Sequence, residues 1–207
     1  MRYISKGTDE NNCRKSFSNA VSAFRSGRKF PHYVFTQRWE HFLFLDEGWL
    51  FCKEFVDIAS ELLTIEKSNV ICLLNLARSM SYEFEEAAAV YLDKNSKGKD
   101  YVDFLRGNKP GDPEAWIFNM EEYICISDVG EWCIYCEMGD MAVIAFQENG
   151  LEKFKSAIGL LHAYPLDQVC LPGQDGLFPY NEMSQEWHDG LFRNYVHAQK
   201  NHREMKG

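Results

Sequence analysis

The stretch Glu121–Phe146, EEYICISDVGEWCIYCEMGDMAVIAF, constrains this chain more than any other. Three short runs of apolar and aromatic residues alternate at period two, separated by Asp128-Val129-Gly130 and Met138-Gly139-Asp140. Alternation argues for strands and glycine falls where a tight connection needs it, so the stretch predicts an antiparallel β-meander. Register follows if one face is buried throughout, because a slip of one residue sends every side chain to the other face. Pairing Ser127 with Glu131 sets Ile126 against Trp132 and Ile124 against Ile134. Pairing Glu137 with Met141 sets Ile134 against Ile144 and Trp132 against Phe146. One predicted face is then Ile124, Ile126, Trp132, Ile134, Ile144 and Phe146, which makes a core. The other carries Tyr123 opposite Tyr135 and Cys125 opposite Cys133, with Glu131 and Glu137 at its ends. That second face reads either as bare sheet or as a surface where two tyrosines meet a partner.

Around the meander the pattern is helical. Residues 1–12 and 198–207 read as polar tails, and the 207 residues between and including them as a single α+β domain. Helices are predicted over Cys13–Arg25, Glu47–Ile65 with Asp46 as its cap, and from Ser68 through Met80 toward Leu92. Further helices are expected over Tyr101–Leu105, over Leu151–Ala163, and after a Ser184 cap through Trp187, Leu191 and Tyr195. Tyr33-Val34-Phe35 and Phe42–Leu45 read as short strands or buried turns. GNKPGDP (107–113) is punctuation before the sheet, and Pro165–Glu182 an irregular loop.

Charge is distributed unevenly. No Lys, Arg or His stands between Lys109 and Lys153, a span holding Asp112, Glu114, Glu121, Glu122, Asp128, Glu131, Glu137, Asp140, Glu148 and Glu152. Residues 1–41 instead carry eight Lys or Arg against Asp9, Glu10 and Glu40. Such asymmetry speaks to partners and association rates rather than to fold. Either the acidic sheet pairs with the chain's own basic N-terminal part, or it attracts a basic protein. A net charge of -9 argues against a general binder of nucleic acid or anionic membrane. No apolar run reaches the roughly 18 residues that span a bilayer, and the N-terminus lacks a signal-peptide core, so a cytoplasmic protein is expected.

Most of the seven cysteines lie inside apolar patterns and read as reduced, buried hydrophobes. Cys133-Ile-Tyr-Cys136 has the spacing of a metal or redox pair, but residues i and i+3 of a strand point to opposite faces. No metal or other cofactor is therefore expected. No glycine-rich phosphate loop, nucleophile elbow, zinc-helix motif or dinucleotide fingerprint occurs. An enzymatic or small-ligand reading would use Trp39, Trp49 and Trp116 around His32 or His41.

The run Trp132-Cys-Ile-Tyr-Cys-Glu followed by Met141-Ala-Val-Ile-Ala-Phe, in a small acidic chain, resembles cytoplasmic immunity proteins of bacterial polymorphic-toxin and contact-dependent inhibition systems. The resemblance covers about a quarter of the chain. It implies a non-catalytic inhibitor that binds one cognate toxin, often a nuclease, and it carries no functional residue across. On the residues themselves, the candidate partner surface is Glu121, Glu122, Tyr123, Glu131, Tyr135, Glu137 and Asp140, with an adaptor subunit using the same tyrosines as the alternative. Neither a catalytic nor a metal-binding residue is proposed.

Overall fold

The computed structural model describes residues 2–5, 7–79, 83–107, 115–116, 121–137, 141–169 and 183–197. Strands β1 (Arg2–Ile4), β2 (His41–Leu45), β3 (Ile71–Asn75), β4 (Ala89–Leu92), β5 (Glu122–Ser127), β6 (Trp132–Glu137) and β7 (Ala142–Phe146) form one sheet in the order β1-β4-β3-β5-β6-β7-β2. All neighbours are antiparallel except β1 and β4. The predicted meander is the β5-β6-β7 part of this sheet, and the fold is α+β.

Helices cover both faces, and two core layers result. One layer joins α1 (Glu10–Ala23) and α7 (Gln185–Phe192) to the sheet through Phe17, Ala20, Trp187 and Leu191, which pack with Cys72, Ile124, Tyr135 and Phe44. The other joins α2 (Phe55–Glu66), α3 (Gly98–Arg106) and the pair α4 (Gly150–Lys153) and α5 (Lys155–Leu160) through Leu62, Tyr101, Phe154 and Ala157. Trp132, Ile134, Tyr123, Cys125 and Phe146 belong to that second layer. Between β2 and α2 lies a 3₁₀ turn, Glu47–Phe51, and α6 (Leu166–Val169) follows α5.

Two-sided burial explains where the structure departs from expectation. The β6–β7 register is as predicted, with Trp132 against Phe146 and Ile134 against Ile144. The β5–β6 register is shifted by one: Ile126 pairs with Cys133, Cys125 with Ile134 and Ile124 with Tyr135. Cys125 and Cys133 therefore lie on opposite faces, as do Tyr123 and Tyr135. The prediction assumed a semi-polar second face. With apolar residues at every position of both faces, alternation no longer selects the register. Polar contacts of the connection select it instead. Ser127 Oγ accepts from the N–H groups of Val129 and Gly130 at 3.1 and 2.9 Å, and Gly130 takes φ +86°. The loop is consequently four residues, Asp128–Glu131, rather than three.

The same ambiguity misplaced the segment after α2. The predicted helix from Ser68 toward Leu92 is instead β3 and β4, because a short, wholly buried apolar run looks alike as strand or helix by periodicity. Residues 2–4 are not a loose tail but an edge strand beside β4, and α1 begins within the predicted tail at Glu10, where Asp9 accepts from Asn11 N–H at 3.0 Å. The expected helix 47–65 divides into the 3₁₀ turn, capped by Asp46, and α2. The helix expected over 151–163 breaks at Phe154, whose ring turns inward and stacks on Phe146 at 5.5 Å. Gly150 permits that approach: a Cβ there would sit 2.3 Å from Phe146 Cβ. Ser184 caps α7 as expected, accepting from Trp187 N–H. Most of the Pro165–Glu182 loop and the tail 198–207 lie outside the described residues.

Candidate functional site

The predicted site residues divide between the two ends of the sheet. At the end where β5 starts, Glu121 accepts from Arg78 Nε at 2.8 and 3.0 Å, from Asn75 Nδ2 at 2.6 Å and from Tyr123 O–H at 3.2 Å. Glu122 pairs with Lys29 at 2.5 Å. Glu137, directly across from Glu122, accepts from the Phe30 N–H and the Tyr135 O–H, both at 2.8 Å. These three carboxylates hold the chain's own basic and aromatic segments in place. Asp140 lies outside the described residues.

Tyr123 and Tyr135 are fully buried and occupy different core layers, so they form no common surface. Burial, seconded by the charges of Glu121 and Glu137, raises both phenols well above their ordinary range. They are core anchors with satisfied hydroxyls. Likewise Trp39 packs in one layer while Trp49 and Trp116 pack in the other, so these indoles line no shared pocket. Trp49 stacks on His162 at 5.1 Å. Cys133 and Cys136 fall in different layers as well, and among the described residues no cluster of three ligands could hold a metal.

At the opposite end of the sheet, β5 passes to β6. Glu131 is here, paired with Lys153, and its N–H donates to the buried Glu66 carboxylate at 2.7 Å. Hydrogen bonds between Gln147 N–H and Glu131 C=O, and between Gly150 N–H and Gln147 C=O, bring the start of α4 alongside the β5–β6 connection. Glu148 and Glu152 are exposed, and neither carboxylate has an ion-pair partner among the described residues. Val129 is 45% exposed and Leu151 36%, in a chain that buries most of its large apolar side chains. Further along, beyond β1 and β4, a polar depression of about 270 Å³ is lined by residues that include Asp9, Asn12, Asn69, Asp93 and Lys94. Asp93 is used locally, accepting from Thr8 Oγ1, Asn95 N–H and Ser96 Oγ.

A second concavity, of about 490 Å³, lies between the 3₁₀ turn and α3. Phe51 and Val102 give it an apolar wall, and Lys53, Lys99 and Arg106 project charge into it. Sequence reading missed it because the helix expected over Tyr101–Leu105 excluded both Lys99 and Arg106. The signal was present: Lys99, Val102, Asp103 and Arg106 recur at helical spacing on one side of α3.

No helix among the described residues is long and apolar enough to cross a membrane. No protein family, curated protein or solved structure matches the chain.

Proposed function

We propose that this chain acts by binding, not by catalysis, and that its partner is a basic protein of the kind an immunity-type inhibitor would neutralise. The observation that carries this reading is that two of the exposed large apolar residues, Val129 and Leu151, are set among Glu131, Glu148 and Glu152 at one end of the sheet. Carboxylates steer a basic partner and exclude wrong ones, while a few apolar anchors supply affinity. The exposed Asp9 adds to the acidic character at the same end, against Lys67, Lys94 and Lys153, while Asp93 and Asp128 are buried and hydrogen-bonded within the chain. The sheet face, by contrast, is covered by helices and offers a partner nothing.

The test is affinity capture from the native host with the full chain and with a Val129→Arg, Leu151→Arg variant, followed by mass spectrometry. A basic protein retained by the first and lost by the second supports the reading. The same proteins retained by both, or an acidic partner alone, overturns it.

A further inference from the structure

The cleft between the 3₁₀ turn and α3 is a feature the acidic end does not explain, and we infer that it binds a small amphipathic anion, an acidic head on an apolar body. Its construction is specific. Tyr101 is fully buried and its hydroxyl donates to the Leu50 carbonyl, which fixes α3 against the turn. Gly98 brings the start of α3 onto the Lys53 backbone: a Cβ there would lie 2.7 Å from the Lys53 carbonyl oxygen. The cavity of about 490 Å³ is thus held open between two anchored elements, within the size range of small-molecule sites.

Its charge is opposite to that of the chain. In a protein of net charge -9, three cations face one cavity against Glu54 and Asp103. Lys53 lies 3.7 Å from Glu54, whereas Lys99 and Arg106 have no ion-pair partner among the described residues. Arg106 suits the carboxyl end of its helix, but Lys99 does not suit the amino end, where the macrodipole is positive. That end also has no side-chain cap, because Lys97 stands at the cap position. Asp100 is in the same turn but does not line the cavity. A lysine against the dipole and a guanidinium with no ion-pair partner among the described residues together favour an anion, while Phe51 and Val102 receive an apolar tail. A carboxylate and a phosphate monoester share this chemistry.

Cys52 reports on occupancy. It lines the cleft and is half-buried, while the other described cysteines are buried. The experiment is peptide-resolved maleimide labelling of Cys52 in the full-length protein, titrated with octanoate, octyl phosphate, octylamine or inorganic phosphate. Octanoate or octyl phosphate should protect Cys52 saturably, and whichever does so at lower concentration assigns the head group. Octylamine should not protect, and inorganic phosphate should require far higher concentrations. A Lys99→Gln, Arg106→Gln variant should need about tenfold more of the better anion, as expected for losing two charged contacts. Both side chains are exposed, so the variant should keep the wild-type melting temperature. If it does not, the two single variants replace it, each expected to weaken protection about threefold. Equal protection by octylamine, protection by phosphate alone at the same concentration, unchanged protection in the charge variants, or no protection overturns the proposal.

Discussion

Asp128 holds Asn69 twice, accepting from its backbone N–H at 2.8 Å and from its side-chain amide at 3.1 Å. The same carboxylate accepts from Val70 N–H at 3.1 Å, so one buried side chain joins the β5–β6 connection to the start of β3. Three donors converge on it; Asn69 is exposed and can turn to water if the carboxylate is removed, but the Val70 N–H is buried and cannot.

Asp128→Ala should therefore cost roughly 1–3 kcal/mol, since it leaves the buried Val70 N–H unsatisfied. Asp128→Asn keeps one acceptor and should cost clearly less. Urea unfolding of both variants checks this, and equal midpoints for Asp128→Ala and wild type would show that the carboxylate does not organise the turn.

Trp132 is fully buried in the core layer that contains Phe146, Phe154 and Ala157. Trp132→Ala should cost roughly 3–5 kcal/mol by the cavity it opens. Its indole N–H is buried without a hydrogen-bond partner among the described residues, so Trp132→Phe deletes an unfavourable group along with some packing. The Phe variant should recover at least half of the loss. A Phe variant as unstable as the Ala variant would mean that shape alone governs the site.

These two residues also show how much of the fold the sequence disclosed. Trp132 was legible as core because β6 and β7 alternate and their pairing follows from matching large apolar residues. The β5–β6 register was not, because EYICIS is apolar on both sides, and the polar contacts that decide it are the turn bonds of Ser127 together with the ties from Asp128 to Asn69 and Val70, far away in the chain. Glu121, Glu122 and Glu137 were visible as charges, but their partners Arg78, Lys29 and Phe30 are set by tertiary structure alone. For the same reason an acidic stretch could not be divided in advance into internal ties and open rim.

Alkaline pH should destabilise this protein strongly. Burial raises the thiols of Cys72, Cys125 and Cys133 and the phenols of Tyr101, Tyr135 and Tyr195, and it pushes Cys13 up to about 11. Each folded-state value lies above its unfolded value, so the native state retains protons that the unfolded chain releases. The stabilisation is complete below the ordinary thiol range, near pH 8, and is lost as pH rises past about 8.5 for thiols and about 10 for phenols. Urea midpoints under reducing conditions should fall progressively above about pH 8.5, with tyrosinate absorbance appearing together with unfolding. A midpoint that holds or rises over that range would contradict the linkage.

The acidic rim makes a kinetic prediction for any partner that capture identifies. Glu131→Gln, Glu148→Gln and Glu152→Gln together remove charge without removing bulk. Association should slow roughly three- to tenfold at low salt and lose much of its salt dependence, because steering acts on encounter. Val129→Ser with Leu151→Ser should leave association nearly unchanged and speed dissociation, because apolar anchors act after contact. Tyr123→Phe and Tyr135→Phe serve as controls: both rings are buried, so these variants should lose some stability and leave both rate constants unaltered. Stopped-flow or surface-based kinetics at two ionic strengths separate the cases. If the tyrosine variants alter dissociation while the rim variants do not, the partner contacts the sheet through a rearranged helical cover. The rim at the β5–β6 connection would then be a solvated end and not the interface.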